Sequence, residues 1–248
     1  AREAGPPETP EHTSESTMST LQQQYLSALL VLDRAEAVRL ATEAIHSGVD
    51  VAEFYLNVLQ PTQREIGRLW QMGEITVAQE HFSTAATQFV MSQLQPYFLQ
   101  KDSGDRTLVA SCVGDELHEV GLRIVSDIFE MNGWNTVYLG ANAPAESVAK
   151  TLVGCEADVL AVSTTMTRHL FALAQVISVV RSMPGCQEIM ILVGGYPFNI
   201  DPFLWRRVGA DGSARSADEA IRFANSRLAK KKHSQSRRLR SATAESRQ

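Results

Sequence analysis

The apolar residues of this chain change their rhythm once, and that change constrains the fold more than any other feature. From Met18 to about Phe98 they recur at three- and four-residue spacing, as in LQQQYLSALLVLDRAEAVRLATEAI, VAEFYLNVLQPTQREIGRLW and VAQEHFSTAATQFVMSQLQPYF. Such a period puts an apolar stripe on one face of each successive helix. Asp33 and Asp50 stand where helix N-caps are expected, and Thr76 with Gln79 has the spacing of a capping box. Pro61 falls inside the second of these runs, the third of the expected helices, so that helix is expected to kink or split there. Four helices joined by short connections predict an antiparallel bundle over residues 18–99.

From about Arg106 the rhythm alternates. The β-rich runs TLVASC, NTVYL, DVLAVS and EIMILV are separated by amphipathic stretches such as EVGLRIVSDIFEM and AESVAKTLV. Further amphipathic segments lie at Arg168–Ser182, around Pro202–Arg207 and at Ala217–Leu228, and a weak fifth strand falls near GADGSA. Strand–helix alternation predicts a doubly wound, five-stranded parallel sheet over residues 106–228, covered on both faces. Gln100–Arg106 (QKDSGDR) reads as the linker between the halves.

The ends carry different signals. Residues 1–17 are polar and proline-rich without an apolar core, so they read as a disordered N-terminus and not as a secretory signal. No apolar run approaches the ~18 residues a membrane span needs. From Ser226 onward eight basic residues face one acid, leaving an acidic body of about −12 behind a net charge of −5. Residues 229–248 are expected to be a solvated, disordered basic tail, and the acidic body argues against nucleic acid as the main ligand. Cys112, Cys155 and Cys186 are odd in number and far apart, which suits a reducing cytoplasm better than a disulfide framework.

In an open parallel sheet, ligands bind beyond the carboxyl ends of the strands, near the switch point. Three unusual loops are expected there. GDELHEVG, Gly114 to Gly121, follows the first strand. STTMTRH follows the third and offers Ser163, Thr164, Thr165, Thr167 and His169. GGYPF follows the fourth, where Gly194 and Gly195 let a ligand approach the backbone beside Tyr196. A lone histidine at a helix start is most often simply solvated. Glu116, two residues before His118, changes that, because a carboxylate on one ring nitrogen makes the other a better metal ligand. One histidine does not hold a bare transition metal, but it can supply one axial position to a metal already held by a macrocycle.

Glu116-x-His118-x-x-Gly121, then Ser163-x-Thr165, then Gly194-Gly195 resembles the cobalamin-binding domain family. Its pattern is Asp/Glu-x-His-x-x-Gly, Ser-x-Leu and Gly-Gly. The resemblance implies that His118 is the lower axial ligand of cobalt. It also implies that the nucleotide tail of the cofactor threads beside Ser163, Thr165 and the glycines. Thr165 departs from the pattern, since leucine is common there, and implies a more polar tail pocket.

The helical half extends the resemblance. Trp70 precedes Glu80 by ten residues and His81 by eleven, across a turn expected at Gly73–Thr76. This arrangement looks like the cap of CarH-type cobalamin photoreceptors, in which a Trp packs over the adenosyl group and a Glu and a His help to hold it. Two departures stand out. Nothing before Met18 is long enough for the helix-turn-helix domain of those repressors, so no direct DNA binding is expected. They also have a cobalt-capturing histidine immediately after the Trp, where this chain has Gln71.

The resulting expectation is a light sensor, not an enzyme, that binds adenosylcobalamin between a helical cap and a Rossmann-like cobalamin domain. It would act as a homo-oligomer (a dimer) or through a downstream signalling partner. A resemblance to photocobilins adds a bilin, biliverdin, as a second chromophore, with Arg168 and His169 as candidates to meet its propionates. The rival from the enzyme class is a corrinoid carrier of a methyltransferase system. A haem-binding relative on the same scaffold is a third reading.

Overall fold

The computed structural model of the chain describes residues 10–99 and 104–229. The expected basic tail beyond residue 229, the first nine residues and most of the expected linker lie outside the described residues. The chain divides into two compact units between residues 102 and 103.

The first unit is helical. Its elements are α1 (Pro10–Leu30), α2 (Arg34–His46), α3 (Val51–Phe54), α4 (Gln60–Gln71) and α5 (Val77–Leu94). Helix α1 starts at Pro10, so the expected disorder of residues 1–17 is corrected for the part from Pro10 onward. The caps form as expected. Asp33 accepts the Glu36 N–H, Asp50 accepts those of Ala52 and Glu53, and Thr76 and Gln79 close a full capping box. Each satisfies backbone donors that a helix start leaves without partners.

Pro61 neither breaks the helix nor stops it. A π-helical stretch, Tyr55–Leu59, joins α3 to α4 immediately before the proline. A proline inside a helix removes one N–H and crowds the carbonyl four residues back. The wider π turn accommodates both at the cost of one extra residue, so α3, this stretch and α4 run on as one of the four expected helices.

The core of this unit is mixed. Tyr25, Phe54, Tyr55, Leu59 and Ile66 are buried, with Tyr25 and Phe54 edge to face at 6.1 Å. Thr62, Ser83 and Thr87 are buried among them. The Thr87 hydroxyl takes a hydrogen bond from the Gln63 amide at 2.8 Å and meets the Tyr25 hydroxyl at 3.2 Å. Ser83 returns its hydroxyl to the Gln79 carbonyl. Buried hydroxyls are tolerated only when paired in this way.

The second unit is the expected parallel sheet. Its strands are β1 (Thr107–Cys112), β2 (Asn135–Gly140), β3 (Val159–Ser163), β4 (Met190–Gly194) and β5 (Gly212–Ser213), in the order β2-β1-β3-β4-β5. Helices α6 (Val120–Met131), α7 (Ala145–Gly154), α8 (Leu170–Ser182), α9 (Tyr196–Ile200), α10 (Leu204–Val208) and a last helix over 217–229 connect and cover the strands. Strands β1, β3 and β4 are buried almost throughout, which explains their unbroken apolar runs. At the opposite edge from the loops of interest, Asp158 accepts the Thr107 N–H and Asp211 accepts that of Ile191, holding strand starts in register. The chain leaves β1 for β2 on one side and later adds β3 on the other, so the switch point lies between β1 and β3.

Candidate functional site

Register brings the three sequence-predicted loops to one edge. Cys112 pairs with Ser163, and Ser163 pairs with Gly194. Beyond that level Val113 donates to the Ser163 carbonyl and Thr164 to the Gly194 carbonyl. The segments from Val113, Thr164 and Gly195 therefore leave the sheet at the same height, at its carboxyl edge and across the switch point.

Glu116 is the hub of this edge. It is fully buried, and its two oxygens divide the work. Oε1 accepts the His118 N–H at 3.2 Å and faces His118 Nδ1 at 2.5 Å. Oε2 accepts the N–H groups of Thr165 at 2.7 Å and Met166 at 3.1 Å, and faces His169 Nδ1 at 3.1 Å. Burial pushes the carboxyl upward, but the hydrogen bonds from His118, Thr165, Met166 and His169 outweigh it. Together they hold it well below the usual carboxylate range. A buried anion is stable here because donors surround it.

His118 is oriented and reachable. Its side chain is 38% exposed while its carboxylate partner is 0% exposed. With Nδ1 against Glu116, Nε2 is the nitrogen left to meet a ligand. Among the described residues no group of three His, Cys, Asp or Glu side chains is arranged to hold a metal ion. Cys112 lies behind the loop, its thiol pointing to the His118 carbonyl at 3.9 Å. Burial, with the charges of Glu116 and Glu119, pushes this thiol up to about 12, so it is no thiolate ligand at neutral pH. A single oriented imidazole suits a metal that brings its own equatorial ligands, as cobalt in a corrin ring does.

A Cβ on Gly195, whose φ is +110°, would lie 1.9 Å from the Thr164 carbonyl oxygen, so only glycine lets the fourth-strand loop pass so close to the third. Gly194 is also tight, its Cβ position lying 3.3 Å from the Ala214 carbonyl. Gly121 is different: no atom lies within 4 Å of where its Cβ would stand, so it leaves open space near the start of α6. Ser163 and Thr165 are half-buried, and Leu117 on the loop after β1, Phe171 in the first turn of α8 and Tyr196 at the start of α9 are exposed. Leu117 and Phe171 were not anticipated as site residues. Leu117 immediately precedes His118, the one sequence signal that could have drawn attention to it.

His169 and Arg168 close the loop after β3, in the short helical turn Thr167–His169. His169 is turned inward onto Glu116 with its side chain 11% exposed, and Arg168 Nε donates to His169 Nε2 at 3.1 Å. The buried carboxylate thus already engages one nitrogen of the imidazole expected to meet a propionate. The extent of the Glu116 network was likewise invisible in the local motif.

In the helical unit, Trp70 lies in the last turn of α4 and is half-buried. The turn that follows is closed by Gly73, with φ +70°, donating to the Trp70 carbonyl, and by Glu74 donating to Leu69. Glu80 lies in the first turn of α5, followed by His81, as expected from the cap at Thr76. Glu80 Oε2 meets His81 Nδ1 at 2.6 Å, and Oε1 accepts the Thr84 hydroxyl at 3.3 Å. Glu80 is largely sheltered, at 17% exposure, and His81 is open, at 75%. These hydrogen bonds run among Glu80, His81 and Thr84, and among the described residues none reaches the Trp70 indole.

Comparison with known proteins relates both units to B12-binding domains. Residues 21–95 match a family described as a B12 binding domain, and residues 106–222 match a second family of the same description. A corrinoid protein of Desulfitobacterium hafniense is 23% identical over 216 residues, covering 85% of this chain and 99% of that protein. The HTH-type transcriptional repressor CarA of Myxococcus xanthus is 27% identical over 175 residues, 71% of this chain but 58% of the repressor. The structure of the Methanosarcina barkeri monomethylamine corrinoid protein superposes with a TM-score of 0.73 at 21% identity, covering 85% of this chain and 98% of that one. That likeness shows the fold: a helical cap followed by a five-stranded parallel α/β domain.

Proposed function

We propose that this chain, built of two B12-binding domains in tandem, is a corrinoid carrier that presents cobalt to a partner methyltransferase and is not itself a catalyst. The observation that carries the reading is the His118–Glu116 pair at the switch point, an exposed imidazole fixed by a fully buried carboxylate. His118 would hold the cobalt from below. Ser163, Thr165, Gly194, Gly195 and Tyr196 would line the way for the nucleotide tail, with Gly121 leaving room for it. Bound in this way, the corrin cobalt supplies a centre that takes up and releases an alkyl group. The match to a corrinoid protein along 99% of that protein's length supports a carrier, because such a protein consists of the same two domains.

A second reading rests on a separate observation. Trp70, Glu80 and His81 flank one tight turn of the helical unit, the arrangement expected for an adenosylcobalamin light sensor. A methyl group needs no polar clamp, whereas a ribose does. The 27% identity to a repressor supports this reading over 71% of the chain. In its extended form the sensor pairs adenosylcobalamin with biliverdin.

One set of spectra separates the two. The purified protein is loaded with methylcobalamin or with adenosylcobalamin, and absorption is recorded in the dark and after green light. The carrier reading expects a histidine-on spectrum with either cofactor and no adenosyl preference. Tenacious retention of adenosylcobalamin, followed by a light-driven change in the protein's conformation, would establish the sensor instead. Adding biliverdin tests the extended form: a shifted red band that survives washing supports it, and free pigment that washes off rejects it. Failure to bind any cobalamin would sink both.

A further inference from the structure

The carboxylate behind the metal-binding histidine is shared. Of the donors on Glu116 Oε2, two are the backbone N–H groups of Thr165 and Met166, and the third is the side chain of His169. The protonation of that side chain follows from its other neighbour. Arg168 Nε carries a hydrogen and only donates, so His169 Nε2, 3.1 Å away, must accept. A neutral imidazole that accepts at Nε2 carries its proton on Nδ1. Nδ1 is the atom facing Glu116 Oε2, and it donates there.

We propose that His169 is a positioning residue for the metal-binding imidazole: held as its Nδ1–H tautomer by Arg168, it clamps Glu116, and Glu116 clamps His118. The proposal rests on the corrinoid reading of His118. Its physical content is the last torsion of the Glu116 side chain, which has a broad energy profile and no strong preference of its own. Donors on both oxygens are what stop that rotation. On Oε1 they come from His118 itself, so the orientation of the pair must be imposed from Oε2. His169 is the side chain that does so, reaching across from the loop after β3. Without it, Oε2 keeps only two backbone donors, both from the same side of the loop.

The test begins with the protein free of cofactor. With histidine labelled by nitrogen-15, NMR should show the His169 ring, identified by the signal that His169→Asn removes, as the Nδ1–H tautomer, shifted toward the Nε2–H form by Arg168→Ala. Hydroxocobalamin is then added. His169→Ala should bind it about tenfold more weakly, the lower end of what losing a group behind a metal ligand costs. A larger fraction of the bound cobalamin should show the histidine-off spectrum. His169→Asn, whose Nδ2 occupies the place of the imidazole Nδ1, should recover most of the affinity and the histidine-on spectrum. A merely structural role for His169 gives no such rescue, and its absence overturns the proposal.

An Nε2–H tautomer of the His169 ring in the free wild-type protein also overturns it. So do wild-type affinity and spectrum in His169→Ala. Should His169→Ala not fold, His169→Asn decides alone: histidine-on supports the clamp, and histidine-off refutes it. If the wild-type protein itself takes no cobalamin on a histidine, the corrinoid reading falls and the clamp with it. A histidine-on wild type with an unaffected His169→Ala removes only the clamp.

Discussion

Glu116 and His118 stand two residues apart and meet through Oε1 and Nδ1 at 2.5 Å, the carboxylate fully buried and the imidazole 38% exposed. Such a pair is unsymmetrical by design of its surroundings: one partner is fixed by five donor contacts and the other is presented to solvent. His118→Ala should therefore lose cobalamin retention and the histidine-on absorption signature together. An unchanged histidine-on spectrum in that variant would show that another residue ligates the metal. Glu116→Ala leaves the ligand in place but unoriented, so a loss of roughly 10–100-fold in affinity is expected, read by cobalamin titration.

The same carboxylate should leave a mark on acid stability. Its folded-state pKa lies below the ordinary value of 4.5, so the folded protein binds this proton less readily than the unfolded chain does. Stability rises with pH wherever the unfolded state holds more protons, so the contribution is complete above about pH 4.5 and is lost as pH falls through the depressed folded value. Glu116→Gln should thus show its largest deficit in thermal midpoint near neutral pH, shrinking toward acid. A deficit constant across that range would mean that the charge of Glu116 contributes nothing to folding.

Gly195→Ala probes the crossing of two loops. The new Cβ would meet the Thr164 carbonyl oxygen at 1.9 Å, in a backbone conformation of φ +110° that L side chains rarely adopt. Backbone strain of this kind costs about 1–3 kcal/mol before any clash is counted. The expected result is a lower unfolding midpoint in denaturant together with weaker cobalamin binding. Gly121→Ala, with no atom within 4 Å of its Cβ, should leave the stability of the cofactor-free protein nearly unchanged and weaken cobalamin binding only. Equal effects of Gly121→Ala on both would show that the open space has no ligand to receive.

Trp70→Ala addresses the choice between the two functional readings. If the turn between α4 and α5 holds an adenosyl group, this variant should lose its preference for adenosylcobalamin over methylcobalamin while His118 remains ligated. Equal loss of both forms would point to a disordered cap. Equal retention of both would leave the carrier reading alone.

The polar core of the helical unit offers a test independent of any cofactor. Thr87 is the common partner of Tyr25 and Gln63. Thr87→Val keeps the shape but strands a buried hydroxyl and an amide, and about 1–3 kcal/mol of stability should be lost in denaturant unfolding. Tyr25→Phe removes one hydroxyl and leaves Gln63 on Thr87, so its cost should be smaller, near 1 kcal/mol. The reverse order would show that Tyr25 has a partner more important than Thr87.

How much of this molecule could be read from its residues follows the range of the interactions involved. Helix periodicity, the caps at Asp33, Asp50 and Thr76, and the apolar runs of β1 to β4 are set by neighbours within about one turn or one strand, and they stand in the structure as the sequence implies. The Glu116–His118 pair was legible for the same reason, since two residues on one loop can reach each other without help from the fold. Pro61 shows the limit even at short range: a break and a π-helical adjustment satisfy the same missing N–H, and only packing around Tyr55 to Leu59 selects between them. Beyond that range the sequence implied which loops share the sheet edge but not which side chains meet there. Thr87 and Tyr25 meet across 62 residues, and Glu116 and His169 across 53. No local pattern announces such pairs, because parallel register places Cys112, Ser163 and Gly194 at one height and so decides which loops share a carboxylate. The sequence by itself determined the elements and the local Glu116–His118 pairing. Tertiary structure alone decided that Glu116 would be buried and that His169 would face it, because burial and long-range donors exist only once distant strands lie side by side.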